Sequence, residues 1–66
     1  MRIALSRNKI NIQLAKRRFT VSKLADAYGV SRARMNILLN QREVTPVAAG
    51  RLAAALGCGV TEILED

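Results

Sequence analysis

Apolar residues along this chain recur every three or four positions, the spacing that places side chains on one face of an α-helix. In the first such stretch, Ser6 is suited to begin a helix because its hydroxyl can accept a free backbone N–H. Ile10 and Leu14 then share one face, which the aliphatic stem of Arg17 extends. The pattern predicts helix 1 over residues 7 to about 18.

Two shorter helical patterns follow, separated only by Gly-Val-Ser. Thr20 is expected to begin helix 2, and Gly29 to end it, because glycine readily adopts the left-handed conformation found after helices. The apolar stripe of helix 2 consists of Val21, Leu24, Ala25 and Tyr28. Ser31 is expected to begin helix 3, which runs to about residue 39. The residues that helix 3 is expected to bury are Met35, Leu38 and Leu39.

A fourth helix is predicted to start at Thr45 and Pro46, because the threonine hydroxyl can accept a free N–H and proline suits the first helical position. It is expected to run to about residue 56 and to end at Gly57. Its buried stripe is predicted to consist of Ala48, Leu52, Ala55 and Leu56.

A last helical turn over residues 61–66 is expected to begin at Thr61 and to supply Ile63 and Leu64 to the core. Half of the residues are hydrophobic but only two are aromatic, so the core is built from aliphatic side chains, which suits small packed helices. With a length of 66 residues, the chain has room for one domain. We therefore expect an all-α fold in which residues 1–66 form a single domain.

The net charge of +6 is unevenly distributed. Residues 1–42 contain ten Lys and Arg against one acid, whereas residues 43–66 contain one Arg against four acids. This asymmetry favours a surface that faces a polyanion, either nucleic acid or an anionic membrane, over charge kept for solubility. A membrane role is disfavoured, since the chain lacks Trp, needs its apolar residues inside, and contains no signal-peptide core or uncharged run longer than about half a membrane span.

Groups for catalysis or metal binding are scarce. The chain has no histidine, and its single cysteine, Cys58, cannot form an internal disulfide and is expected to be a buried thiol in a reducing compartment. The Gly-Cys-Gly at 57–59 is a helix end rather than a phosphate loop, because no Gly-Lys-Ser/Thr follows it. We expect no enzyme activity, no catalytic residue, no metal or other cofactor, and no small-molecule ligand.

Helices 2 and 3, joined by about three residues that include a glycine, have the pattern of a helix-turn-helix over residues 20–40. This unit lays its second helix in the major groove of DNA. Ala25 is small enough to let helix 3 approach helix 2, and Gly29 allows the sharp turn between them. The pattern indicates that the cations of helix 3 face a nucleic acid while Met35, Leu38 and Leu39 face the core.

With these motifs, the sequence resembles the Xre family, the Cro and phage-repressor type of helix-turn-helix DNA-binding domain. The stretch FTVSKLADAYGVSRARMNILLNQREVTP is similar to the central motif of that family, and AAGRLAAALGCGVTEILED is similar to its closing helices. The resemblance implies a compact, five-helix, lambda-repressor-like domain. It also implies a repressor, regulator or antitoxin, and many such proteins bind DNA as dimers.

The resemblance carries specific residues over to this chain. It implies base contacts by Arg32, Ala33, Asn36 and Ile37. It implies contacts to the DNA backbone by Thr20, Ser22, Lys23, Ser31, Arg34, Asn40 and Arg42. Three positions depart from the family pattern: Val21 and Gln41 stand where relatives often have glutamine and glycine, and Arg18 stands where relatives often have a glycine after helix 1.

The hypothesis from the sequence is a sequence-specific regulator of transcription that binds double-stranded DNA. We expect a small repressor of a phage or mobile element, located in the bacterial cytoplasm with the nucleoid and acting as a homodimer at least on DNA. Val60, Ile63 and Leu64 are candidates for the dimer surface or, equally, for the core. The alternative is a protein-interaction or antitoxin module built on the same scaffold.

Overall fold

The computed structural model describes residues 1–65, and most of them lie in four α-helices: α1 (Arg7–Arg17), α2 (Val21–Tyr28), α3 (Arg32–Asn40) and α4 (Pro46–Leu56). Each helix begins at the hydroxyl residue that the sequence predicts. The side chains of Ser6, Thr20, Ser31 and Thr45 each accept the backbone N–H three residues ahead, at 3.1–3.2 Å. The mainly helical fold is confirmed.

The helices α1, α2 and α4 end in the same way. The residue after each helix has a positive φ, at Arg18 (53°), Gly29 (94°) and Gly57 (75°). The next residue then donates its N–H to the carbonyl five positions back, at 3.0 Å in all three cases. Two of these three positions are glycines, whereas Arg18 is the one non-glycine residue with positive φ among residues 1–65.

A small antiparallel sheet, which the sequence analysis does not predict, joins two distant segments. Strand β1 (Ile3–Ala4) pairs with strand β2 (Glu43–Val44), with Ile3 opposite Val44. The next residue along the chain, Leu5, forms a bridge to Leu64 on the other side. The N-terminal segment therefore lies between the loop after α3 and the last described residues. Strands of two residues are too short to show an alternating pattern.

The last turn differs from the prediction. It is a 3₁₀ helix (Val60–Ile63), so four α-helices and this turn stand where five helices are expected. The predicted cap at Thr61 is wrong, because the turn begins earlier, and the Glu62 carboxylate accepts the N–H of Gly59 at 2.7 Å. Asp66, the last residue of the predicted turn, lies outside the described residues.

One core holds the helices together. Its buried hydrophobic members are Leu5, Ile10, Leu14, Leu24, Ala25, Met35, Leu39, Val44, Ala49, Leu52, Ala53, Leu56 and Ile63. The prediction for α4 is partly wrong: Ala49 and Ala53 are buried, whereas Ala48 and Ala55 are half-buried. Leu38 is also half-buried rather than buried. No helix within residues 1–65 has the length and apolarity needed to cross a membrane.

Candidate nucleic-acid interface

The α2–α3 unit holds α3 by one face and leaves the other face open. Ala25 on α2 is 1% exposed, and its small side chain lets α3 pack closely against α2. From α3, Met35 and Leu39 enter the core. Gly29 and Val30 turn the chain between the helices, and the N–H groups of both bond to the carbonyl of Ala25, at 2.8 and 3.0 Å.

The four residues implied to contact bases all lie on the open side of α3. Arg32, Ala33, Asn36 and Ile37 are exposed. Ile37 is 55% exposed although its side chain is apolar. With about 100° between successive helical residues, Ala33 and Ile37 lie roughly opposite the buried face, and Arg32 and Asn36 share one edge. The helix therefore presents methyl groups beside hydrogen-bonding side chains.

The seven residues implied to contact the DNA backbone are also exposed: Thr20, Ser22, Lys23, Ser31, Arg34, Asn40 and Arg42. The oxygens of Thr20 and Ser31 already accept the first free N–H groups of their helices. A hydroxyl can donate as well as accept, so the hydrogen of each remains available to an anion. The starts of α2 and α3 therefore each keep a hydroxyl donor in addition to free backbone N–H groups.

Arg34 lies on the opposite edge of α3, where a cleft opens between α3 and α4. The cleft has a volume of ≈ 260 Å³ and is lined by Tyr28, Val30, Arg34, Leu38, Ala48 and Arg51. Arg51 stacks over the Tyr28 ring, 4.4 Å from its centre, and donates to the Tyr28 carbonyl at 3.2 Å. The ring is therefore covered by the protein's own arginine and is not presented as a flat surface for a base.

A second cleft lies beside the C-terminal end of α3. We call it the α1–α3 cleft; its volume is ≈ 300 Å³, and it is lined by Leu5, Arg7, Leu39, Asn40, Gln41, Arg42 and Glu65. The loop that carries Arg42 is held in place because the N–H of Leu5 donates to the Arg42 carbonyl at 2.9 Å. Arg7 and Arg51, which line these two clefts, are cations to which the sequence analysis assigns no role. Each of these arginines lines a cleft together with residues more than 20 positions away in the chain, and no local sequence pattern indicates such a contact.

Two side chains outside this region, Arg17 and Cys58, have structural explanations. Arg17 donates to the Gly57 carbonyl at 2.9 Å and to Gln13, and so ties α1 to the end of α4. Burial raises the pKa of the Cys58 thiol, the Glu62 carboxylate adds to the rise, and Arg17 opposes it. The rise in pKa favours the protonated thiol, which is the less nucleophilic form, and the side chain is half-buried rather than buried as expected. Within residues 1–65, no three His, Cys, Asp or Glu side chains form a group able to hold a metal ion.

The three candidates for the dimer surface, Val60, Ile63 and Leu64, differ in how far they are buried. Ile63 is 0% exposed, so of the two alternatives given for it, the core is correct. Leu64 is half-buried against the core, and the Val60 side chain is 37% exposed. Of the three, only Val60 and Leu64 retain surface that another molecule could contact.

Comparison with known proteins gives one result. A family model for the Cro/C1-type helix-turn-helix DNA-binding domain matches residues 9–66, which is nearly the whole chain and includes the complete α2–α3 unit. No curated protein and no solved structure gives a significant match. Domains of this family in general bind DNA and are not enzymes. The chain belongs to the family of Cro/C1-type helix-turn-helix DNA-binding domains.

Proposed function

We propose that residues 1–66 act as one DNA-binding unit, a sequence-specific regulator that occupies an operator through α3. The observation that carries this proposal is the division of α3 into two faces. Met35 and Leu39 fix the helix in the core, while the opposite side is exposed and combines arginine, asparagine and aliphatic side chains. A helix that is both rigidly seated and open on one side can enter a major groove.

The exposed residues of α3 match the chemistry of base edges. Arg32 can donate two hydrogen bonds to O6 and N7 of guanine, and Asn36 can pair with N6 and N7 of adenine. Ala33 and Ile37 can contact the methyl group of thymine. We therefore propose these four residues as the base contacts of the domain.

Backbone contacts form the second layer of the proposed interface. Free N–H groups at the start of α2 favour a phosphate, and Thr20, Ser22 and Lys23 lie there. We propose that Ser31, Arg34, Asn40 and Arg42 contact phosphates on either side of α3. These contacts would set the register of the protein on DNA without reading its sequence.

A single domain of this size reads few base pairs, so we propose that two copies bind an inverted repeat, with half-sites about 34 Å apart. Val60 and Leu64 supply candidate dimer contacts. A repressor of this kind would act in the bacterial cytoplasm, on the nucleoid or on phage DNA, by excluding polymerase from a promoter.

The decisive experiment is selection from a random duplex library at a low and a physiological salt concentration, followed by sequencing. Enrichment of a short inverted repeat at physiological salt is the expected result, and the half-site spacing reports the dimer geometry. Uniform duplex binding that disappears as salt rises would contradict sequence-specific regulation, because purely electrostatic binding is steeply salt-dependent. That outcome would favour a protein-interaction or antitoxin module on the same scaffold.

A further inference from the structure

Arg7 lines the α1–α3 cleft, and its charge does not stabilise the helix in which it lies. Arg7 is the first residue of α1, where the free N–H groups make the helix end positive and disfavour a cation. The first turn of α1 contains no acid that would offset this charge. The Nε of Arg7 donates to Asn11 Oδ1 at 3.2 Å, which orients the guanidinium group along the helix. Within residues 1–65, its two terminal nitrogens have no hydrogen-bond partner.

A second unpaired arginine lines the same cleft. Arg42 is exposed and, within the described residues, its guanidinium group has no hydrogen-bond or ion-pair partner. Its loop is fixed by the bond from Leu5 and by the pairing of β1 with β2. Asn40 and Gln41 also line the cleft, and an amide side chain can donate hydrogen bonds to an anion. The cleft is therefore lined by two arginines and two amide residues, and two of these four, Asn40 and Arg42, are already proposed backbone contacts.

We propose that the α1–α3 cleft binds one phosphate group of the DNA backbone between Arg7 and Arg42. Guanidinium groups bind phosphate oxygens through two parallel N–H donors, and two of them can hold one phosphate from both sides. This inference rests on the proposed function, and it extends the interface from the α2–α3 unit to α1. Arg7 fixes the position of the domain on DNA and reads no base.

Glu65 is expected to weaken phosphate binding in this cleft. Among residues 1–65 it is the one acid that lines the cleft, and it forms no ion pair with Arg7 or Arg42. A carboxylate beside a bound phosphate weakens binding through like-charge repulsion. Removing the charge of Glu65 should therefore strengthen DNA binding, whereas removing the charge of Arg7 should weaken it.

The test measures the affinity of the full chain for a random-sequence duplex between about 50 and 200 mM salt. For Arg7→Gln we expect about five- to tenfold weaker binding at low salt, because a charge-assisted hydrogen bond is lost. We also expect a slope of log affinity against log salt that is shallower by about one. Arg7→Lys keeps the charge and should retain most of the slope. The melting temperature of Arg7→Gln should stay equal or rise, since a cation leaves the start of α1.

Removing a negative charge from the cleft gives a second test of the same inference. Glu65→Gln should bind the duplex more tightly, and by more than Glu62→Gln, which makes the same charge change at an exposed position outside the cleft and keeps an oxygen that can accept the Gly59 N–H. Equal effects of these two variants would overturn the inference, even if Arg7→Gln proved too unstable to measure. An unchanged salt slope in Arg7→Gln, with normal wild-type binding, would also overturn it and leave the proposed function intact. Failure of the wild-type protein to bind any duplex would overturn both.

Discussion

At the scale of single residues, Arg32 and Lys23 have separable roles in the proposed interface. Arg32→Ala should cost about 1–3 kcal/mol on the preferred sequence and relax the preference at one base position, because a bidentate contact to a base is lost. Lys23→Ala should weaken binding to all sequences alike, since phosphates carry no sequence information. Binding of each variant to the selected operator and to random DNA measures this difference. An equal loss on both DNAs for Arg32→Ala would contradict its assignment as a base contact.

Arg18 has a backbone conformation that is unfavourable for any residue other than glycine. Its φ of 53° is left-handed, which costs a non-glycine residue about 1 kcal/mol, and its side chain is exposed. Arg18→Gly should therefore raise the free energy of unfolding by about 0.5–1 kcal/mol. Thermal melting detects this as a rise of several degrees in a domain of this size.

The control for that variant is Lys16→Gly, which removes the same charge at an exposed position inside α1. There, glycine should lower the free energy of unfolding by about 1 kcal/mol, because it adds backbone freedom to the unfolded chain without relieving strain. Stabilisation by both variants would mean that charge removal, rather than the left-handed backbone, governs stability at this end of α1.

At the scale of the helices, Arg51 joins α4 to the end of α2. It stacks over the Tyr28 ring and donates to the Tyr28 carbonyl, one of the last carbonyls of α2. Arg51→Ala should lower the free energy of unfolding by about 1 kcal/mol, since a cation–π contact and a hydrogen bond are lost. Denaturant unfolding measures the change, and Arg51→Lys, which keeps the charge but loses the planar group, should fall between Ala and wild type. Full stability of Arg51→Ala would show that the stacking contributes nothing.

Two glycines associated with helices should respond oppositely to alanine. A Cβ atom at Gly50, inside α4, meets no atom within 4 Å, so Gly50→Ala should raise the free energy of unfolding by about 1 kcal/mol. Gly29 has φ 94°, so Gly29→Ala should be destabilising by a similar amount although space is also available there. Parallel thermal melts of the two variants decide the point. Destabilisation by Gly50→Ala would indicate that the helix needs glycine at this position for another reason.

The helices were predictable because their signals are local. Each helix begins at a residue, Ser6, Thr20, Ser31 or Thr45, whose hydroxyl accepts an N–H only three residues ahead. The apolar stripes likewise repeat within one helix. The short strands, the α1–α3 cleft and the contact of Arg51 with Tyr28 join residues that are far apart in the chain. The error in α4 has a related cause: a helix composed largely of alanines has no strong stripe, and the neighbouring helices decide which alanines are buried.

At the scale of the whole molecule, Leu5 connects several distant parts. Its side chain is buried, its N–H bonds to the loop after α3, and it pairs with Leu64. Leu5→Ala should lower the free energy of unfolding by about 2–3 kcal/mol, a large part of the few kcal/mol available to a domain of this length. Ile12→Ala, at a 52% exposed position of α1, is the matched control and should change stability little. Similar losses for both variants would show that Leu5 has no special role, with denaturant unfolding as the measurement.

The pairing of Leu5 with Leu64 also bears on the order of folding. The turn between α2 and α3 closes over a few residues, whereas this bridge closes a loop of almost the entire chain, and the entropy lost on closure grows with loop length. Local helical contacts form quickly, and contacts between distant segments limit the rate. The α2–α3 unit can therefore assemble early, and the joining of the first strand to the last turn completes the molecule.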